Sequence, residues 1–279
     1  ILQVVLNLYL TVCRIGKTTA LQRQMIGGTS NSIGMAIAPL VISYLIFHGT
    51  PLHDIVTKQF IIPLIILILI MLIITLLVGK TQMPSIDNVR QAPGEKFDKS
   101  VWSFRNLKLG VWGIFFYVGI EVAVGANVNM YASELGGSFA SNATHMAALY
   151  WGLLLLGRFL GSFIKQVPSE KQLVIASIGA IVLLVLAMLT ANPWILTLIG
   201  FFHSIMWPAI FTLATDQLGK YTTKASGVLT MGVIGGGIIP LLQGIFADVM
   251  GGNWLWTWLL VIAGEAYILY YGLNGYKQH

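Results

Sequence analysis

Predominantly apolar stretches recur along the chain at a length that suits a helix crossing a bilayer, which takes about 20 residues. Eight can be marked, at roughly 29–47, 60–79, 108–131, 144–164, 172–190, 194–215, 224–247 and 254–274. The plainest is 60–79, FIIPLIILILIMLIITLLVG, which carries no charge. Ile1–Val12 is also apolar but too short to span. With no basic segment ahead of it and no small-residue cleavage site, it does not read as a signal peptide. It reads as the tail of a helix that begins upstream, which makes the sequence a piece of a longer one. Turn chemistry separates the stretches: His48-Gly49-Thr50-Pro51, Gly136-Gly137-Ser138, Asn192-Pro193 and Gly251-Gly252-Asn253.

Composition narrows the class. Apolar residues make up 56% of the 279 positions and charged residues 9%, against about 25% charged in ordinary globular proteins. Disordered, collagen-like and disulfide-stapled classes are excluded, and the pattern predicts an all-α, polytopic membrane helix bundle. Cys13 is the one cysteine and forms no internal disulfide. The net charge of +6 does not indicate nucleic acid, because no basic groove with interleaved aromatics accompanies it.

The placement of Lys and Arg sets an orientation. Arg14, Lys17 and Arg23 follow the opening stub; Lys80, Arg90, Lys96, Lys99, Arg105 and Lys108 fill 80–108; Arg158, Lys165 and Lys171 surround the next basic turn. Lys220, Lys224 and Lys277 continue the series, and only Lys58 falls on the other boundaries. The basic side is expected to be cytoplasmic, as is the C-terminus. Three regions result: 1–79 as the remainder of a first bundle, 80–108 as a solvated cytoplasmic linker, and 109–279 as a six-helix bundle.

Polar groups placed in hydrocarbon are expensive and therefore informative. Glu121 lies inside the apolar run 111–131. At 100° per residue, Gly125 and Asn129 share its stripe, while Asn127 points about 120° away, toward a neighbouring helix. A carboxylate, a glycine and an amide on one stripe suit a hydrated cavity, although a structural ion pair with a neighbouring helix would also use the acid. Glu265 has only apolar neighbours one turn away, which suits a bond to an adjacent helix. His203 and Trp207 lie one turn apart before Pro208; an indole offers a flat face to a sugar ring and imidazole bonds hydroxyls. Either residue could equally be a packing residue. Gly235, Gly236 and Gly237, with Pro240, weaken a helix near its middle, with Gln243 one turn beyond. Gln3, Asn7 and Asn31 are further amides that could line the other half of a cavity. No HExxH, GxSxG, Walker-A, GxGxxG or Cys/His metal spacing occurs.

Gly157-Arg158-Phe159-Leu160-Gly161 resembles the loop motif of the major facilitator superfamily, in which the arginine braces helices during rocking. The stretches LQVVLNLYLTV (2–12), NSIGMAIAPL (31–40), YVGIEVAVGANVNMYAS (117–133), FFHSIMWPAIFTLA (201–214) and GVIGGGIIPLLQGIFAD (232–248) resemble its fucose/glucose/galactose–cation symporter family. The resemblance implies twelve helices in two six-helix halves, with this chain running from late helix 4 to helix 12. Helices 1–3, the first with the family's acidic residue, would lie upstream. Gln3 stands where the fucose branch has a carboxylate, which points to the glucose/galactose branch. Leu8 stands where the family usually has proline, and His203 and Trp207 replace a commoner asparagine and phenylalanine.

The expected function is secondary active uptake of a neutral hexose with a proton or sodium ion, by rocking about a midplane site. Glu121 would couple the ion. Gln3, Asn7, Asn31, Asn129, His203 and Gln243 would bond hydroxyls, with Trp207 stacking. Gly157, Arg158, Gly161, the three glycines and Pro240 would serve the motion. The expected setting is the bacterial inner membrane, as a monomer, with no enzyme activity, resident cofactor, metal or nucleic-acid partner. A sugar sensor that does not transport, and a carrier of another small polar solute, remain open. An organic-acid carrier would want a cation in the cavity, and all 16 basic residues are expected at or near boundaries.

Overall fold

The computed structural model describes residues 2–13, 16–40, 61–81 and 97–278, with backbone alone at 2–3 and 35–40. These residues are all-helical. In chain order the helices are α1 (Leu2–Val12), α2 (Ala20–Leu40), α3 (Ile61–Lys80), α4 (Arg105–Leu135), α5 (Gly137–Ser141) and α6 (Ala143–Gly161). Then come α7 (Ser169–Thr190), α8 (Pro193–Ala214), α9 (Thr222–Thr230), α10 (Gly235–Val249) and α11 (Trp258–Tyr270). Two compact units are distinguished, one drawn from 1–29 and 86–279, the other from 30–85. Five helical segments among the described residues are long and apolar enough to cross a membrane: 61–80, 105–135, 169–190, 193–214 and 219–249. The expected turn at His48–Pro51 and the part of the expected linker at 82–96 lie outside the described residues.

In the second unit, α3 is apolar all round and buries none of its side chains, the signature of a helix meant for hydrocarbon. The first unit is organised around α4. Its glycines let neighbouring backbones come close: a Cβ on Gly110 would meet Ala214 and the Tyr271 hydroxyl, and one on Gly113 would sit 3.2 Å from Ile210. Further along, Gly119 lies against Ile239 and the Gly235 carbonyl. In lipid, where apolar surface alone does not drive association, such small-residue contacts hold helices together by close packing.

The helix ends show where their backbone groups go. Asn106 Nδ2 donates to the carbonyls of Leu213, Ala214 and Asp216 at 3.2, 3.3 and 3.2 Å, closing the end of α8. Arg105 Nη1 donates to the Asn274 and Lys277 carbonyls at 2.7 and 2.9 Å beyond α11, a cation at a helix C-terminus. Asn192 accepts from the Trp194 amide at 3.0 Å and Pro193 opens α8. The predicted glycine turns use left-handed backbone, with φ +72° and +55° at Gly136 and Gly137.

One expectation is refined and one revised. The segment 97–104 is largely exposed yet tied to the helices: the Asp98 and Lys99 amides donate to the Tyr221 hydroxyl at 3.1 and 3.0 Å, and Val101 is buried. The second helix starts at Ala20, nine residues before the predicted 29, and so takes in Arg23. Arg23 is buried and donates to the carbonyls of Leu10, Thr11 and Thr18 at 2.7, 2.8 and 2.6 Å, closing the end of α1.

The predicted weak helix is interrupted by a 3-10 turn at Met231–Ile234, immediately ahead of Gly235. Gly235 presses on the backbone carbonyl of Phe115, whereas nothing lies within 4 Å of a Cβ on Gly237. Gly235→Ala should therefore lower stability by about 1–3 kcal/mol through overpacking. Gly237→Ala should be neutral or stabilise by up to about 1 kcal/mol. Thermal melts in detergent compare the two.

Candidate functional site

Glu121 sits near the middle of α4, on the side that faces α6. Tyr117, one turn earlier on the same face, donates to Glu121 Oε1 at 2.6 Å. Arg158 Nη2, from α6, donates to the same oxygen at 3.2 Å. The two ion-paired side chains are 11% and 13% exposed, respectively for Arg158 and Glu121, so the carboxylate is held within the protein without being sealed. Arg158 thus sits inside the bundle, and the expectation that every basic residue lies at a boundary is corrected. The sequence placed it at a helix end, but a long arginine side chain reaches inward along a helix by several ångströms.

The glycines around Arg158 explain how it fits. A Cβ on Gly157 would strike the Ser204 side chain and the Phe201 carbonyl of α8; one on Gly161 would strike Met25 of α2. Gly28 lies against the Arg158 stem, with a Cβ there 3.3 Å from Cδ, and Gln22 Nε2 donates to the Ser162 carbonyl at 2.9 Å. The motif Gly157–Gly161 is a place where α2, α6 and α8 touch.

A second chain of polar contacts starts at the backbone of Glu121. Tyr150 on α6 donates its hydroxyl to the Glu121 carbonyl at 3.0 Å. The same oxygen lies 2.6 Å from His203 Nδ1 on α8, and His203 Nε2 lies 2.6 Å from Glu265 Oε1 on α11. His203 and Glu265 side chains are both 0% exposed. Glu265 bonds the adjacent helix, as its apolar surroundings suggested. Both His203 ring nitrogens are occupied by protein groups, which leaves neither for a sugar hydroxyl in this conformation.

The other candidates divide. Gly125 packs against Tyr150 and Trp151, so the stripe of Glu121, Gly125 and Asn129 faces α6. Asn129 Oδ1 is buried without a partner, and so is Asn7 Nδ2. Gln243 is engaged at both ends: Asn127 donates to its Oε1 at 2.9 Å and it donates to Thr257 Oγ1 at 3.1 Å. Trp207 is half-buried, stacked on Phe211 at 6.2 Å and tilted against Tyr117 at 6.4 Å. Asn7 lies on α1, which packs on α9; its carbonyl accepts from Gln24 at 2.7 Å. Asn31 is exposed and belongs to the other unit. The Gln3 side chain lies outside the described residues. Pro240 sits inside α10, and Gly236 lies 2.9 Å from Val118 by the same Cβ measure. Sequence reasoning missed Tyr150, Tyr117 and the inward reach of Arg158; only Tyr117 left a signal, its four-residue spacing from Glu121.

Comparison with known proteins identifies a family and a fold. Residues 22–239 match the family model described as Major Facilitator Superfamily. A Helicobacter pylori protein is 35% identical over 89% of this chain and 64% of its own length. A Brucella abortus protein named glucose/galactose transporter is 34% identical over 100% of this chain and 69% of its own. The chain therefore spans about two thirds of the length of these relatives. A crystal structure of the Escherichia coli fucose:proton symporter FucP superposes with a TM-score of 0.82 at 23% identity, covering 98% of this chain and 73% of that one.

The ion pair has a measurable consequence. Arg158→Met leaves the Glu121 carboxylate without its cation and should cost about 3 kcal/mol. Adding Glu121→Gln should restore most of that loss, because the stranded charge is gone. Melting of the single and double variants in detergent gives the coupling directly.

Proposed function

The chain belongs to the major facilitator superfamily, and on that premise we propose that it forms part of a secondary transporter carrying a neutral hexose together with a proton. The names of its Brucella relative and of the symporter with the same fold support both halves of this reading. The observation that carries it is the Glu121 carboxylate, held by Tyr117 and Arg158 inside the bundle yet still partly exposed. We place the basic face and the C-terminus in the cytoplasm and the protein in a bacterial inner membrane.

The pair favours a proton over sodium. With the Arg158 guanidinium already 3.2 Å from Glu121 Oε1, a metal cation added beside it meets strong repulsion at low dielectric. A proton instead neutralises the carboxylate and releases Arg158 from it. That release loosens one tie between α4 and α6, which is the kind of contact a rocking bundle must remake. The energetics suffice: one charge crossing 100 mV supplies about 2.3 kcal/mol, and a tenfold sugar gradient requires about 1.4 kcal/mol.

For the sugar, the unpartnered Asn129 Oδ1 and Asn7 Nδ2 are the best-supported hydroxyl partners, with Trp207 offering its ring. Gln3 remains a candidate from the opening helix. His203 and Gln243 are reassigned from hydroxyl binding to holding helices together, since their polar atoms are already engaged. Gly157, Gly161 and Gly235 serve the motion as close-contact points rather than as flexible ones.

Vesicles containing the protein test this with glucose and galactose. Glu121→Gln should abolish accumulation driven by a proton gradient, by at least about tenfold, while sugar counterflow continues. If accumulation and counterflow both persist unchanged, Glu121 does not couple the ion. Sugar binding without any counterflow in the unaltered protein would point to a sensor instead.

A further inference from the structure

Hydrogen counting in the sealed Tyr150–His203–Glu265 chain leads to a site that the transport reading does not use. A tyrosine hydroxyl has one hydrogen to donate, and a backbone carbonyl can only accept. Tyr150 is 3.0 Å from the Glu121 carbonyl and 2.6 Å from His203 Nδ1. With its hydrogen on the carbonyl, the Tyr150 oxygen must accept from Nδ1, so Nδ1 carries a hydrogen. The 2.6 Å contact between Nε2 and Glu265 Oε1 then needs one more hydrogen between them. Without it, a ring lone pair would face a carboxylate lone pair in a space where neither side chain has any exposure and no water can intervene.

We propose that Tyr150, His203 and Glu265 form a second proton-holding site, separate from Glu121, whose loaded state is locked to the backbone of Glu121 by the orientation of one hydroxyl. Loaded, the site has hydrogens on Nδ1, between Nε2 and Glu265, and on Tyr150 pointing at the Glu121 carbonyl. Unloading removes one. The Tyr150 hydrogen is given up as a proton to water, the base available beyond the partly exposed Glu121 side chain, since the backbone carbonyl it points at orients it but cannot take it. The tyrosine oxygen takes the Nδ1 hydrogen in its place and now donates it back to the bare Nδ1. Nε2 keeps its hydrogen and donates it to the Glu265 carboxylate. Every group stays bonded, but the Glu121 carbonyl has lost its donor. One proton is released, and the cluster loses one positive charge.

The groups that face this site are few. Glu121 and Tyr117 come from α4, with the Tyr117 ring 6.2 Å from that of His203; Arg158 and Tyr150 come from α6, and Glu265 from α11. Helix α7, which also packs on α8 and α11, has its titratable residues Glu170 and Lys171 in its first turn. Among the described residues, the strong cation nearby is Arg158, itself matched by Glu121. The other Glu265 oxygen, Oε2, is buried without a partner. Among the described residues, Nε2 is then the donor this carboxyl has, which ties its charge state to the histidine.

Any part this site plays in coupling rests on the transport reading. The hydrogen count does not, and it can be read without sugar or gradient, so the two can fail separately. The experiment is 15N-histidine NMR of the protein in detergent, with the His203 signals identified by their loss in His203→Asn. At neutral pH, Nδ1 of His203 should show a directly bonded hydrogen. In Tyr150→Phe, which removes the acceptor, that hydrogen should be held about tenfold less tightly, a shift of about one pH unit. In Glu265→Gln the amide supplies the missing hydrogen to Nε2, so Nδ1 should keep its own across the whole pH range in which the protein stays folded. A bare Nδ1 at neutral pH overturns the proposal. So does a His203 titration unchanged by Tyr150→Phe, or one that persists as before in Glu265→Gln.

Discussion

Hydrocarbon offers a buried polar group no water to fall back on, and this single condition shapes the first unit of the protein. Each carboxylate, imidazole or guanidinium set among the helices has to find its partner on another helix, so polar residues become cross-links. Arg158 to Glu121 joins α6 to α4. Tyr150 to His203 joins α6 to α8, and His203 to Glu265 joins α8 to α11. Four helices are tied through one connected chain of side chains and one backbone carbonyl. Such networks hold well when every member is satisfied and are costly when one is removed.

Close packing supplies the complementary half. Where α4 meets α8, α10 and α11, the contact positions are glycines, and the atoms opposite are so near that a methyl group would collide. The polar chain fixes which helices are neighbours; the glycines fix how near they come. The two meet at Gly157–Gly161, where small residues bring α2 and α8 against α6 while the arginine between them turns inward to the acid.

On the transport reading, that combination lets the bundle be both tied and mobile. A cross-link made of charge can be released by a single proton, whereas a cross-link made of packed carbons cannot. Glu121, partly exposed, is placed where a proton can reach it. His203 and Glu265, with no exposure, are hydrogen-bonded toward it through Tyr150.

Much of this was legible in the chain. Long apolar runs with turn residues between them dictate an all-helical membrane fold, because hydrocarbon forbids unpaired backbone. The i, i+4 arithmetic placed Glu121, Gly125 and Asn129 on one face and sent Asn127 to a neighbour, where it meets Gln243. What no spacing could supply was which residue on which other helix completes each polar group. Arg158 looked like an interfacial charge and Arg23 like a loop residue; one pairs with Glu121 and the other closes α1. His203 looked available for a ligand, yet Tyr150 and Glu265, respectively 53 and 62 positions away, occupy both its nitrogens. Periodicity along one helix determines which face a side chain is on. Only the packing of separate helices decides what stands opposite, because that depends on residues distant in the chain and on how closely their backbones approach.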